Sequence, residues 1–130
     1  DDRVEIHPAA AGAEAGSMAF LGGRQHLSRA ATAAEADRAV AVDVIDVLPL
    51  AARATFVKID IEGGEWPLLR DPRLGQVGAT VAMEWHAHGS DGGDGAAEAE
   101  HLLSRAGFRV RHEPADAGDT GFLWAWPAER

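Results

Sequence analysis

The residues best suited to chemistry crowd into one short run, Val57-Lys58-Ile59-Asp60-Ile61-Glu62-Gly63-Gly64-Glu65-Trp66. Val57, Ile59 and Ile61 alternate with charged neighbours, which is the period of a strand. The Gly63-Gly64 pair then lets the backbone turn sharply and approach a ligand with no Cβ in the way. Asp60 falls where the strand gives way to the turn. In open α/β sheets, ligands collect outside the carboxyl ends of the strands. An ionised carboxylate there is costly to desolvate unless a cation or hydrogen-bond donors face it, so Asp60 predicts a partner. Glu62 and Glu65 flank the start of the next helix, where the backbone dipole favours negative charge. For Glu65, a first-turn carboxylate with a purely structural role is at least as good a reading as a catalytic one.

A second polar set, Glu84, His86 and His88, alternates along one segment and so shares a face of a strand. It reads as a histidine base with an orienting carboxylate, as two ligands of a metal, or as solvated loop polarity. No metal is assigned to it. The only lysine, Lys58, sits inside the richest segment.

These side chains need elements to position them. Val4 to His7 reads as a short strand closed by Pro8, and Ser17 to Leu21 as another. Gly22 to Arg38 lacks a clean period and reads as loop, with a weak helical turn around Ala30 to Ala36. Val40, Val42 and Val44 alternate as a half-buried strand, after which Asp46 is placed to cap a short helix through Ala51. Thr55 to Ile61 forms the strand that carries Asp60, read as a central one. A helix follows Gly64, with Leu68 and Leu69 facing the core. Thr80 to Trp85 is a buried strand, Gly89 to Gly95 a flexible acidic loop, and Ala96 to Ala106 an amphipathic helix stopped by Gly107. Phe108 to Arg111 and Phe122 to Trp126 close the chain as an antiparallel hairpin. The order implies a single α/β domain over residues 1–130 with a mostly parallel sheet.

Composition narrows the function. A formal net charge of −9 offers no basic stripe for nucleic-acid phosphate, so a small-molecule partner is expected and nucleic acid is not. No apolar run approaches the roughly 20 residues of a membrane span, and no basic, signal-like start is present; the reading is soluble and cytoplasmic. The absence of cysteine excludes a disulfide framework and thiolate metal sites. The glycine pairs at 22–23 and 92–93 match no phosphate-binding pattern and read as turns, and the four tryptophans as core and rim packing.

The run from Val57 to Trp66, followed by Leu68-Leu69, closely resembles the signature of FkbM-family methyltransferases, a strand reading Lys-Ile-Asp-Val/Ile-Glu-Gly-x-Glu. Val42 to Leu48 is similar to the strand and aspartate that precede it there. Val81-Ala82-Met83-Glu84-Trp85-His86 is similar to that family's next strand, which ends in a glutamate and a histidine. The resemblance implies S-adenosyl-L-methionine as cofactor and a small-molecule or sugar hydroxyl as acceptor. It implies Asp60, Glu84 and His86 as catalytic residues, and His7, Pro8, Ala9, Asp60, Glu62 and Gly63 as cofactor-binding. The fold it implies is a partial Rossmann-like methyltransferase sheet, mostly parallel with an antiparallel C-terminal hairpin. The first two strands and the Gly-x-Gly loop are not visible. That leaves the strand at Val57 with an exposed edge, and it suggests weak or absent cofactor binding by this chain alone and another chain supplying the missing N-terminal half. Two further readings stay open: a non-catalytic methyltransferase remnant, and a metal-assisted hydrolase using Asp60, Glu84 and His86.

Overall fold

A computed structural model of the chain describes residues 3–22, 29–114 and 118–129. Gly23, one half of a predicted glycine turn, lies outside them. The described residues form two four-stranded sheets. The first contains β1 (Ala10–Gly12), β2 (Gly16–Leu21), β3 (Arg29–Ala30) and β4 (Val40–Asp46) in the order β1-β4-β2-β3. A 3-10 helix, Ala33–Arg38, stands where the weak helical turn is predicted. The second sheet contains β5 (Phe56–Ile59), β6 (Thr80–His86), β7 (Phe108–His112) and β8 (Thr120–Pro127) in the order β5-β6-β8-β7.

The α/β class and the C-terminal antiparallel hairpin hold, with His112 opposite Leu123 and Phe108 opposite Pro127. The mostly parallel sheet does not. Only β1–β4 and β5–β6 pair in parallel; the other four pairings are antiparallel. Connection length explains the difference. Three residues separate β1 from β2, too few for a crossover, so β2 returns along the far side of β4 in the opposite sense. β8 likewise inserts antiparallel between β6 and β7.

Two further expectations need correcting. Val4 to His7 is not a strand: Val4 and Ile6 are 66% and 81% exposed, and the first pairing begins at Ala10. Pro8, which has no N–H, interrupts the ladder before it can start. The strand carrying Asp60 is not central either. Among the described residues β5 has β6 on one side and no strand on the other, and β6 and β8 take the interior positions. The exposed edge expected at Val57 is therefore present.

The core lies on one face of the second sheet. Val81, Met83 and Trp85 of β6 and Leu123 and Ala125 of β8 pack against Trp66, Leu68 and Leu69 of α2 (Glu65–Arg70) and Ala99 and Leu103 of α3 (Gly95–Arg105). Burying each large side chain contributes about 1.5–3 kcal/mol. Trp85 fits because Gly95 and Gly121 flank it; a Cβ on either would come within 2.6 Å or less of the indole. The opposite face carries Phe56, Phe122 and Trp124, with ring centroids 6.3 and 5.8 Å apart in successive pairs. Among the described residues, no helix is long and apolar enough to cross a membrane.

Local chemistry sets the element ends. The Asp46 carboxylate accepts the Leu48 N–H at 3.1 Å, doing the capping work expected of it, although α1 (Leu48–Ala51) formally begins after Val47. Asp94 caps α3 by accepting the Ala97 N–H at 3.0 Å. The first sheet is tied to the rest through Arg73, which bonds Asp46, Asp71 and the Ala13 carbonyl.

Candidate functional site

β5 and β6 run in parallel with Ile59 opposite Met83, so both release their next residues at the same carboxyl edge. Asp60 follows β5 directly, whereas β6 continues three residues further to His86. The β5–α2 turn then folds Glu62 toward that strand end. Glu62 has φ 53 and Gly63 φ 93, two successive residues in the left-handed region that reverse the chain. Glycine is required at the second of these on two counts. Its φ is one that side chains rarely adopt, and a Cβ there would overlap the His88 imidazole.

Asp60, Glu62 and His86 meet in consequence: one ligand-type atom from each lies within 4.8 Å of the other two. His86 is 5% exposed, and its Nε2 stands 3.4 Å from Glu62 Oε2. Asp60 takes a second neighbour, Lys58 Nζ at 2.9 Å from Oδ2, an exposed pair that solvent screens. His88 turns its Nε2 to the Glu62 carbonyl at 2.9 Å, and its ring meets that of His86 edge-on at 5.7 Å.

Behind His86 lies Glu65, wholly buried. Its Oε1 accepts the N–H groups of Ile61 at 3.1 Å and Gly63 at 3.3 Å and stands 3.1 Å from His86 Nδ1. Trp66 Nε1–H donates to the His86 carbonyl at 2.8 Å. Turn, helix start and strand end are thus laced together by two adjacent residues. The first-turn position read for Glu65 is correct, but its carboxylate points inward to the site. The spacing from Asp60 gives no sign of this, because the inward rotation depends on the two left-handed residues.

Glu84 shares the β6 face of His86 by alternation but stays outside the three-residue group, and its side chain makes no hydrogen bond or ion pair among the described residues. His7 pairs instead with Glu5 at 3.2 Å. No hydrogen bond or ion pair among the described residues joins His7, Pro8 or Ala9 to Asp60, Glu62 or His86. Gly63 stands within the turn itself.

The acidic loop after β6 is held in place. Arg70 stands 5.7 Å from the Trp66 ring centroid and bonds the Gly89 carbonyl at 3.1 Å, Asp91 at 3.1 Å and Glu98 at 2.6 Å. Burial would raise the Glu98 carboxyl pKa, but Arg70 and the N–H groups of Asp91 and Gly92 outweigh it and hold the group below the ordinary range. At the other junction, the Arg73 guanidinium holds Asp71 low by hydrogen bonding, and the two carboxylates it meets raise Arg73 in turn.

No curated protein and no solved structure matches the chain. The family model of the methyltransferase FkbM domain matches residues 2–110, from the N-terminal segment into β7, leaving the end of β7 and all of β8 outside. With the signature turn, the parallel strand pair and the polar group at their shared end inside that span, the chain belongs to the FkbM methyltransferase family.

Proposed function

We propose that the chain takes part in S-adenosylmethionine-dependent methyl transfer to an oxygen of a small-molecule acceptor. The observation that carries this reading is the Asp60–Glu62–His86 group at the carboxyl edge of β5 and β6, inside the span matched by the family. The donor set fits a cationic ligand. Asp60 and Glu62 are carboxylates with side chains 37% and 34% exposed. When bound, the cofactor supplies the methyl group as an electrophile. Asp60 then positions either the cationic end of the cofactor or the acceptor. His86 Nε2 is placed to draw off the hydroxyl proton, its ring fixed by Glu65. His7, Pro8 and Ala9 are assigned to the adenosine end by family resemblance.

The test is calorimetric titration with S-adenosylmethionine, together with release of S-adenosylhomocysteine over a panel of hydroxylated acceptors. Binding is expected to be weaker than about 10 μM, equivalent to roughly 7 kcal/mol. Asp60→Asn keeps the volume and removes the charge, so it should lower turnover about 30-fold to 1000-fold, a loss of ~2–4 kcal/mol in transition-state stabilisation. No binding at millimolar cofactor, or full turnover in Asp60→Asn, defeats the reading.

A further inference from the structure

Among the described residues, the three-residue group has more acceptors than donors. If the His86 ring is neutral, the Glu65 oxygen 3.1 Å from Nδ1 draws the ring proton to that nitrogen, which leaves Nε2 a lone pair. That lone pair faces Glu62 Oε2 at 3.4 Å, with the Asp60 carboxylate within the same 4.8 Å span. Three electron-pair donors therefore converge, two of them on charged groups. The one ammonium nearby, Lys58, contacts a single oxygen of Asp60 and is exposed.

A separate observation points the same way. Glu65 is fully buried, yet its Oε2 has no hydrogen-bond partner among the described residues. A desolvated carboxylate with an unsatisfied oxygen is stabilised by positive charge close by, and an ion on the far nitrogen of the His86 ring against which it lies would supply it. A buried carboxylate behind a histidine whose far nitrogen opens onto further oxygen ligands is how proteins orient an imidazole toward a metal.

We infer that Asp60, Glu62 and His86 Nε2 form a three-ligand site for a divalent cation of the Mg2+/Mn2+ class, oriented by Glu65 as a positioning residue. Two carboxylate oxygens and one imidazole suit such an ion and leave positions open for a ligand's oxygens. The acceptor class this favours carries two neighbouring oxygens, as in a vicinal diol or a 2-hydroxy acid, able to chelate the ion. Only this use of the ion rests on the methyl-transfer reading; its binding does not. Of the two roles open to Asp60, the acceptor side is then the one taken. With the ion bound, His86 Nε2 is a ligand in place of the proton acceptor proposed above, and the hydroxyl, acidified by the ion, gives its proton to solvent. The acceptor oxygen then forms its bond to the methyl carbon as the carbon–sulfur bond breaks, with the electron pair staying on sulfur.

Titration of the chelator-stripped chain with Mn2+, followed by calorimetry and by the electron-spin signal of free Mn2+, tests the site with no cofactor present. One saturable site is expected. Asp60→Asn and Glu62→Gln, both on partly exposed side chains and therefore safe for folding, should each weaken it at least about tenfold. Glu65→Gln should weaken it by about 10- to 100-fold while Asp60 and Glu62 remain. Asp43→Asn, an exposed carboxylate on β4, should leave it unchanged. Absence of saturable binding up to millimolar Mn2+, or equal affinity in Asp60→Asn and Glu62→Gln, overturns the inference. Either result leaves the cofactor titration above to stand or fall separately.

Discussion

The two sheets have the same number of strands but are held by different means. Among the described residues, every buried core residue lies at or beyond Leu48, so the second sheet and its helices own the interior. In the first sheet, β1, β2 and β4 are at most half-buried. It persists through ladder hydrogen bonds and through Arg73, which joins the Asp46 end of β4 and the Ala13 carbonyl to Asp71. The polar group sits wholly on the packed half. Placement to within hydrogen-bond tolerance needs rigid support, and only the second sheet provides a desolvated back wall for His86 and Glu65.

The largest break in this comparison should come from truncating matched positions in the two halves. Leu123→Ala removes a fully buried side chain from β8 and should cost about 2–5 kcal/mol in chemical denaturation. Val42→Ala on half-buried β4 should cost under about 1 kcal/mol. Equal costs would mean that the first sheet shares the core.

A smaller effect is expected at the junction. Arg73→Met keeps the aliphatic stem and removes the three-way bridge. Hydrogen exchange should quicken in β1 and β4 while β6 and β8 keep their protection. Uniform quickening across both sheets would make Arg73 a support of the whole fold.

The smallest is the acid response. Asp71 and Glu98 are held below their ordinary values, so each contributes stability that is complete above the unfolded value of about 4 and is lost as pH falls through the lowered one. The denaturation midpoint should therefore decline from these groups only below about pH 4. Asp71→Asn should remove the part of that decline that loosens the first sheet. An unchanged acid profile in Asp71→Asn would disconnect the junction from it.

Much of the packed half is legible from sequence because its signals are local. Alternation at Val81, Met83 and Trp85 marks a strand, the period of the helix before Gly107 marks its inner face, and Gly107 stops it at φ 94. The signature run places Asp60 and Glu62 at a strand end without help from the fold. What sequence cannot show is relational. Strand order depends on which edge β8 and β2 choose, so a mostly parallel sheet is a natural but mistaken reading. The loop expected to be flexible is bound by Arg70 across 19 residues to Gly89 and 28 to Glu98. The inward carboxylate of Glu65 follows from the φ values of Glu62 and Gly63, and Glu84 stays apart although it alternates with His86.

The contact between Lys58 and Asp60 has one practical consequence. Lys58 is the chain's only lysine, and its side chain is 58% exposed. An amine-reactive dye would therefore attach, apart from any free α-amino group, at one position beside the candidate site. Acylation would also strip Asp60 of its nearest cation, so the label reports on the site and perturbs it in a single step, and reductive methylation, which keeps the charge, is the matched control.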